Sequence, residues 1–537
     1  MRLCAYLSIL GLIGHIAQAS PSTGDPCSTL AVSHYPHASI ISATKVPVNT
    51  TLNVASGQEV CGSPTMQSPG IEVCRVQVNI TTSSQSSTLA EVWLPAEESR
   101  WNGRLAATGN GALNGCIDYQ NVAYLAGRGF AACGDNGGHH GYSGEAFFNN
   151  KEVIIDFAHR ARHSTVELSK AVVHSFYKKS HTYSYYYGCS TGGRQGFKSA
   201  QTYPTDFDGI IAGAPAFDFN HLVDWSGHFY GITGPNATDP RFLTATQWAV
   251  VSAAILRQCD ARLDGVADGI IEDTSKCDFN PKSLLCSRKN KDRSKCLTPL
   301  QIQTVRKIYS PLVTPKGKLL YPRFVPSAES SEVQFGYLTG SLATPATDWF
   351  RYAIYNDPEW DPATLDYHDM AYADTLDEIH GNVSSFDGDL SAFRQSGGKL
   401  ITYHGMSDAI ISPENSMRYY DKVARTMRAS HSELDEFYRF FRISGMGHCI
   451  GGPGAGNFGQ GAPAPGASDD ILEDIIAWVE KGVAPERLTG AKYVNDTPAE
   501  GVAWQRAHCR YPYLTTYKGV GDPYAVDSWK CKLLPGW

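Results

Sequence analysis

Gly188-Cys189-Ser190-Thr191-Gly192 spells G-x-S-x-G with a cysteine beside the serine, and a second cysteine, Cys449, directly follows His448. A serine hydroxyl is a weak nucleophile until a base takes its proton, so acyl transfer needs an imidazole within hydrogen-bond reach and a carboxylate behind it. A disulfide between Cys189 and Cys449 would pull the serine and the histidine together. Asp408 is the candidate acid, and the chain order serine, acid, histidine is that of α/β-hydrolases. The chemistry also needs two backbone N–H groups aimed at the developing oxyanion. The turn after the serine offers one from Thr191; the glycine-rich run 103–115 offers the other from Gly111 or its neighbour Gly109, with Gly111 preferred.

Each of these residues requires an element to hold it. Residues 182–187 are a β-prone run that meets a turn at Gly188, and 194–203 are compatible with a helix. Strand, sharp turn and helix are the setting of a nucleophile elbow, in which the serine sits on a strained turn above the sheet. Gly192 and Gly193 permit close approach of that helix. A short buried strand is expected over 397–405, delivering Asp408 in the loop that follows, and another over 437–443, running into Ser444-Gly445-Met446-Gly447-His448. The fold class is therefore α/β, an α/β-hydrolase.

With 537 residues the chain exceeds the size at which one core stops growing. The stretch between the elbow and Asp408 is far longer than the roughly 2–6 residues of an ordinary α/β loop. A catalytic domain is expected over 20–216 and 398–537, with an inserted lid over 217–397. Within the lid, Asp224-Trp225-Ser226-Gly227-His228-Phe229-Tyr230 and Asp348-Trp349-Phe350-Arg351-Tyr352 are candidates to face the pocket, where aromatic walls would suit a planar phenolic acyl group. Asp260, Asp264 and Asp268, with the carbonyls of Val266 and Ile270, read as a structural calcium loop, since hard cations take six to eight oxygens from carboxylates and carbonyls. The alternative is a solvated acidic turn, and the spacing is not that of an EF-hand.

The net charge of −7 and the absence of a long charge run argue against nucleic-acid or anionic-membrane partners. Residues 1–19 read as a secretory signal: Arg2, an apolar stretch over 3–16, then Ala17-Gln18-Ala19. No later segment approaches the ~18 uninterrupted apolar residues of a membrane span, so a secreted, extracellular protein is expected. Five N-x-S/T sequons at Asn49, Asn79, Asn236, Asn382 and Asn495 suit a secreted glycoprotein. Of the 14 cysteines, Cys4 leaves with the signal, and the odd number that remains leaves one unpaired. Local spacing pairs Cys259 with Cys277, Cys286 with Cys296, and Cys509 with Cys531, and no C-x-x-C or Cys/His cluster supports zinc.

The Cys189-Ser190 pair, Asp408 and the His448-Cys449 pair resemble the CS-D-HC arrangement of the fungal tannase and feruloyl esterase B family, to which bacterial hydrolases of mono(hydroxyethyl) terephthalate are similar. The resemblance runs from about Cys27 to Trp537. It implies the triad Ser190, Asp408 and His448. It also implies disulfides joining Cys189 with Cys449, Cys27 with Cys74, and Cys61 with Cys116, which leaves Cys133 as a buried free thiol. Calcium in a similar lid loop is implied too, although in the family the first aspartate stands closer to the second than Asp260 does to Asp264. The implied function is a secreted serine esterase that releases ferulic acid from feruloyl or other hydroxycinnamoyl esters of plant cell-wall polysaccharides, xylan among them, through an acyl-enzyme. Its partner would be a small aromatic ester or a feruloylated oligosaccharide. A tannase-type galloyl ester hydrolase is the near alternative. A non-catalytic, secreted glycan- or phenolic-binding protein is the alternative from another class, and an intact triad argues against it.

Overall fold

The computed structural model describes residues 25–31, 35, 37–54, 66–287, 292–329 and 336–534. The expected signal at 1–19 and Cys61 lie outside the described residues. Nine strands form one sheet: β1 Ala38–Val46, β2 Val73–Thr81, β3 Ser87–Pro95, β4 Arg104–Thr108, β5 Ala131–Asp135, β6 Tyr183–Cys189, β7 Gly209–Gly213, β8 Lys399–Gly405 and β9 Tyr438–Ile443. Their spatial order is β1-β2-β3-β5-β4-β6-β7-β8-β9. The first three pairings from the β1 edge are antiparallel, and every pairing from β5 to β9 is parallel. Parallel strands covered on both faces need near-continuous apolar runs. Leu400, Ile401, Thr402 and Tyr403 of β8 are such a run, and β9 supplies Tyr438, Phe440, Phe441 and Ile443 with Arg439 and Arg442 between them; all are buried.

Helices cover both faces. On one, Val166 and Val172 of α2 (Ala161–Tyr177), Phe197 of α3 (Thr191–Thr202) and Tyr419 of α6 (Pro413–Met427) pack in one cluster with sheet residues. On the other, Val122 and Leu125 of α1 (Tyr119–Gly127) pack with Ile471 and Ile475 of α7 (Ile471–Lys481) against Ile401 and Phe441. The elbow's elements depart slightly from their expected bounds: β6 runs on through Cys189, and α3 starts at Thr191 rather than near 194. Glycines at 192 and 193 are poor helix formers, but packing overrides propensity. A Cβ on Gly193 would meet Gly213 O at 2.4 Å.

The chain between β7 and β8 builds a core of its own. Here α4 (Phe219–Thr233) and α5 (Ala245–Asp264) bring Trp225, Phe229, Trp248 and Ile255 together with Phe324, Trp349 and Phe350. Helix α5 starts at a capping box from Thr244 and Gln247 and stops at Gly265, whose φ of 88° is the left-handed stop that glycine takes without strain. The same cluster takes in Phe147 and Phe157, ahead of α2, and Ala409 and Ile411 beside Asp408. The inserted segment thus packs directly against the loop that carries the candidate acid.

Disulfides join Cys27–Cys74, Cys189–Cys449, Cys259–Cys277, Cys286–Cys296 and Cys509–Cys531. Cys116 is disulfide-bonded, and Cys133 is free and buried. No helix among the described residues is long and apolar enough to cross a membrane. Asn49, Asn236, Asn382 and Asn495 are exposed, and Asn79, within β2, is half-buried.

Candidate active site

Ser190 stands between the end of β6 and the start of α3 with φ 66° and ψ −124°. For a residue bearing a Cβ, such a conformation costs of order 1–3 kcal/mol and persists only where the surroundings impose it. They do so here through backbone bonds: Ser190 N–H donates to Gly213 O at 3.0 Å, and Ser190 O accepts from the N–H groups of Arg194 (3.0 Å) and Ala216 (3.1 Å). The serine and Cys189 are left half-exposed, while Gly188 and Thr191 are buried.

His448 Nδ1 lies 2.8 Å from Asp408 Oδ2, which leaves Nε2 as the ring nitrogen not engaged by the carboxylate. Asp408 is fully buried and accepts three further hydrogen bonds: from the N–H groups of Ile410 (2.8 Å) and Ile411 (3.0 Å), and across a 3.0 Å contact with His404 Nε2. Burial works to raise its pKa, but the facing imidazoles of His448 and His404 prevail and hold it far below the usual carboxylate range. The carboxylate is therefore ionised at any working pH. The Cys189–Cys449 bond, with Cα atoms 6.0 Å apart, ties the residue before Ser190 to the residue after His448.

The two candidate oxyanion donors separate clearly. Gly109 N–H donates to Tyr187 O at 3.1 Å, and a Cβ at Gly109 would stand 2.4 Å from Gly192 Cα. Gly109 is thus required for close backbone contact with the elbow, and its donor is engaged. Asn110 N–H is likewise held, by Gln195 Oε1 at 3.0 Å. Gly111 N–H makes only a 3.4 Å contact with Asn114 Oδ1, and Thr191, at the first turn of α3, has no intrahelical acceptor for its N–H. Thr191 Oγ1 donates to Ala112 O at 2.7 Å and locks the two loops together.

Three residues that hold this geometry were not singled out by the sequence reading. His404 is fully buried between Asp408 and Ser416 Oγ (2.7 Å), and its signal is an H-x-x-x-D spacing at a strand end. Asn110 and Gln195 form a reciprocal pair, Gln195 Nε2 donating to Asn110 Oδ1 at 2.7 Å, over the buried Arg162–Asp135 ion pair of 2.8 Å. Nothing in the local sequence of Asn110 or Gln195 marks that pairing.

Ser190, Thr191, Gly111 and His448 line one cavity of about 940 Å³. The aromatic segments expected to face it mostly do not. Trp225, Phe229, Trp349 and Phe350 are at most 2% exposed and form the core of the inserted segment. The reason is helical phase: Phe219, Leu222, Val223 and Ser226 are the α4 residues that line the cavity, an i, i+3, i+4, i+7 stripe, which turns Trp225 and Phe229 to the other side. Trp349 packs edge-on to Phe219 with centroids 5.1 Å apart, so it backs the wall without forming it.

The acidic loop is brought together. Asp264 Oδ1 accepts from Val266 N–H (2.8 Å), Asp268 Oδ1 from Ile270 N–H (3.1 Å), and Asp260 Oδ2 from Gly269 N–H (2.9 Å). Asp260 Oδ1 and Asp264 Oδ2 are buried with no hydrogen-bond partner. Burial, and the carboxylates of Glu272, Asp268 and Asp260 around it, push Asp264 up to about 7. Asp268 is paired instead with Arg506, at 2.9 Å. Among the described residues no group of three His, Cys, Asp or Glu side chains is placed to hold a metal unaided. An ion here would use the two orphaned carboxylate oxygens and fill its shell with backbone carbonyls and water.

Residues 73–532 match the family model described as tannase and feruloyl esterase. The chain is 46% identical over 501 residues, 93% of each chain, to a probable feruloyl esterase B-2 of Aspergillus terreus. It superposes on a crystal structure of an esterase from Aspergillus oryzae with a TM-score of 0.90 at 43% identity, and on one of feruloyl esterase B from the same organism with 0.88 at 42%; each comparison covers 94% of this chain and 99% of the other.

Proposed function

This chain belongs to the tannase and feruloyl esterase family and is a carboxylic ester hydrolase, and from that premise we propose that it is a secreted serine esterase acting on hydroxycinnamoyl esters, feruloyl esters foremost, of plant cell-wall polysaccharides. The observation that carries the reading is the convergence, at one cavity, of the strained Ser190, the His448–Asp408 contact and the disulfide that spans them.

In the first step His448 Nε2 takes the Ser190 proton as Oγ attacks the ester carbonyl. The carbonyl oxygen becomes an oxyanion held by the N–H groups of Thr191 and Gly111. Asp408 keeps the imidazole in the tautomer that presents Nε2 as a base, and it stabilises the imidazolium that forms. His448 then gives its proton to the departing alcohol, leaving Ser190 acylated. Water, deprotonated by the same imidazole, attacks the acyl-enzyme and releases the aromatic acid. The apolar stripe of α4 offers a wall for the aromatic ring.

Calcium enters this reading as a structural ion. The orphaned oxygens of Asp260 and Asp264 fit a cation, with the carbonyls of Val266 and Ile270 as further ligands, and Asp268 contributes charge while bound to Arg506. The ion would brace the loop that Cys259–Cys277 already staples, and it takes no part in the chemistry.

Initial rates of the wild type and Ser190→Ala on methyl ferulate, methyl caffeate and methyl gallate test the reading. Ser190-dependent turnover of the cinnamates above the gallate is expected. Turnover of the gallate alone would make the protein a galloyl ester hydrolase, and activity that survives Ser190→Ala would refute the nucleophile.

A further inference from the structure

The two candidate oxyanion donors come from different parts of the chain, Thr191 from the first turn of α3 and Gly111 from the loop after β4. An oxyanion gains from both only when the two N–H groups aim at one point. A glycine-rich loop has little backbone stiffness of its own, so what holds Gly111 is the residue on each side of it. On one side Asn110 is bound twice by Gln195: Gln195 Oε1 accepts from Asn110 N–H at 3.0 Å, and Gln195 Nε2 donates to Asn110 Oδ1 at 2.7 Å. On the other side Thr191 Oγ1 donates to Ala112 O at 2.7 Å. Ala112 has φ 44°, a left-handed backbone that a residue with a Cβ keeps only where its surroundings impose it. Thr191 and Gln195 stand four residues apart on α3 and so share one face of it. One helix therefore grips both flanks of Gly111 while its own first residue supplies the other N–H.

The amide pair admits one orientation. Asn110 Nδ2 donates to two carbonyls, Cys116 O at 2.8 Å and Asp135 O at 2.7 Å, so Oδ1 is the atom turned to Gln195 and to Arg162 Nη2 at 3.3 Å. Gln195 must present Oε1 to Asn110 N–H, because a backbone N–H can only donate. Asn110 is 4% exposed and Gln195 3%. The Arg162–Asp135 ion pair of 2.8 Å ties them to α2 and to the end of β5. A buried polar network matched in this way holds a single geometry.

We infer that Gln195 and Asn110 are positioning residues that, with the Thr191 hydroxyl, set the second oxyanion donor against the first. The inference rests on the serine esterase reading and deepens it. Asn110 borders the cavity, but its N–H and its side-chain polar atoms are all engaged within the protein, so it acts through Gly111 and not on substrate.

Initial rates on methyl ferulate and on its thionoester, in which C=S replaces C=O, test it. Sulfur is a weak hydrogen-bond acceptor, so an intact oxyanion hole favours the oxygen ester, and damage to the hole narrows that preference. A disturbed serine or histidine would slow both substrates alike. Gln195→Leu removes both bonds to Asn110; Thr191→Val removes the grip on Ala112 and keeps the Thr191 N–H; Thr191→Ser keeps the hydroxyl. Gln195→Leu and Thr191→Val should each lower kcat on methyl ferulate about ten- to a hundredfold, short of the ~100–1,000-fold lost when a donor is deleted outright. KM should change little, and the ester-to-thionoester rate ratio should shrink by a similar factor. Thr191→Ser should stay near the wild type in both. If Gln195→Leu does not fold, Thr191→Val decides the matter alone. Equal losses on the two substrates, or an unchanged kcat in folded variants, would overturn the grip while Ser190-dependent turnover by the wild type keeps the esterase reading. A wild type inert on methyl ferulate and methyl gallate alike would remove the esterase reading and the grip together.

Discussion

Removing the Cys189–Cys449 bond should separate the protein's stability from its catalytic geometry. The bond closes a loop of 260 residues, shortened only a little by the 18- and 10-residue loops of Cys259–Cys277 and Cys286–Cys296 within it. Chain entropy assigns such a closure at most about 5–6 kcal/mol, and measured values more often fall at about 2–4. The catalytic effect follows from how each partner is otherwise held. Ser190 keeps three backbone bonds that do not involve the disulfide. His448 keeps its Asp408 contact and accepts from Ile450 N–H at 2.7 Å, but the other bonds of its loop, Ser407 N–H to Met446 O (2.9 Å), Gly454 N–H to Gly445 O (3.0 Å) and Gly447 N–H to Gly451 O (3.1 Å), are made by its neighbours. The imidazole, not the serine, is thus the part set free. A displacement of about 1 Å is enough to cost roughly a hundredfold. A Cys189→Ala, Cys449→Ala double variant should melt several degrees lower yet, at a temperature where circular dichroism shows it folded, should lose roughly a hundredfold in kcat with KM changed little. The assay is methyl ferulate turnover at that temperature. A folded double variant within threefold of wild-type kcat would refute the claim that the bond positions His448.

Replacing His404 with Asn withdraws a 3.0 Å donor from Asp408; at ~1.5–3 kcal/mol for a hydrogen bond to a charge, kcat should fall about ten- to a hundredfold. A carboxylate stripped of that donor stabilises the facing imidazolium more strongly, so the acid limb of the kcat/KM profile should move to higher pH, and an unmoved limb would make His404 merely structural. Gly109→Ala, whose Cβ would stand 2.4 Å from Gly192 Cα, should abolish activity and lower the melting temperature, whereas Gly111→Ala, with only Asn114 Nδ2 at 3.2 Å, should retain most of both; the reverse ranking would exchange their roles. His221 is held between Asp218 and Asp374, which outweigh its burial and push it up to about 10. Its contribution to stability is complete below about 6.5, the unperturbed value, and is lost as pH rises towards 10; His221→Gln should flatten the fall in melting temperature across that window. Chelation should lower the melting temperature of the wild type and not that of Asp264→Ala, and equal curves for chelated and untreated wild type would remove the ion.

How much of this was legible in the sequence depended on whether chemistry or packing set each feature. The turn at Ser190 and the meeting of the Asp408 and His448 loops were readable because a nucleophile, an acid and a base would each need a particular residue type at a strand end, and the two cysteines marked which serine and histidine lie together. The parallel strands were readable from apolar runs such as Leu400-Ile401-Thr402-Tyr403. What escaped is set by contacts between distant segments. Trp225 and Ser226 are neighbours in sequence, yet one is core and the other lines the cavity, and only the rotation of α4 against the rest of the inserted segment decides which. Gly109 and Gly111 look equivalent in a glycine-rich run; the approach of Gly192 distinguishes them.

The inserted segment and the catalytic loop are not independent parts. Glu272, four residues beyond Asp268, is 3% exposed; it accepts a hydrogen bond from the Ser444 hydroxyl and is paired with Arg506, which also holds Asp268. Arg506 is itself pinned, 1% exposed, with its guanidinium 3.9 Å over the Trp529 ring. Ser444 opens the turn that presents His448. A buried charge left without its partner costs about 3–5 kcal/mol, so this cluster tolerates only one arrangement of the acidic loop relative to that turn. The consequence runs in one direction: whatever orders residues 260–272, disulfide or cation, also fixes the starting point of the histidine loop, while the disulfide at Cys449 fixes its far end. His448 is therefore braced on one side through Glu272 of the inserted segment and on the other through Cys189 at the end of β6, which explains how the proposed base on a glycine-rich loop can be kept at 2.8 Å from Asp408.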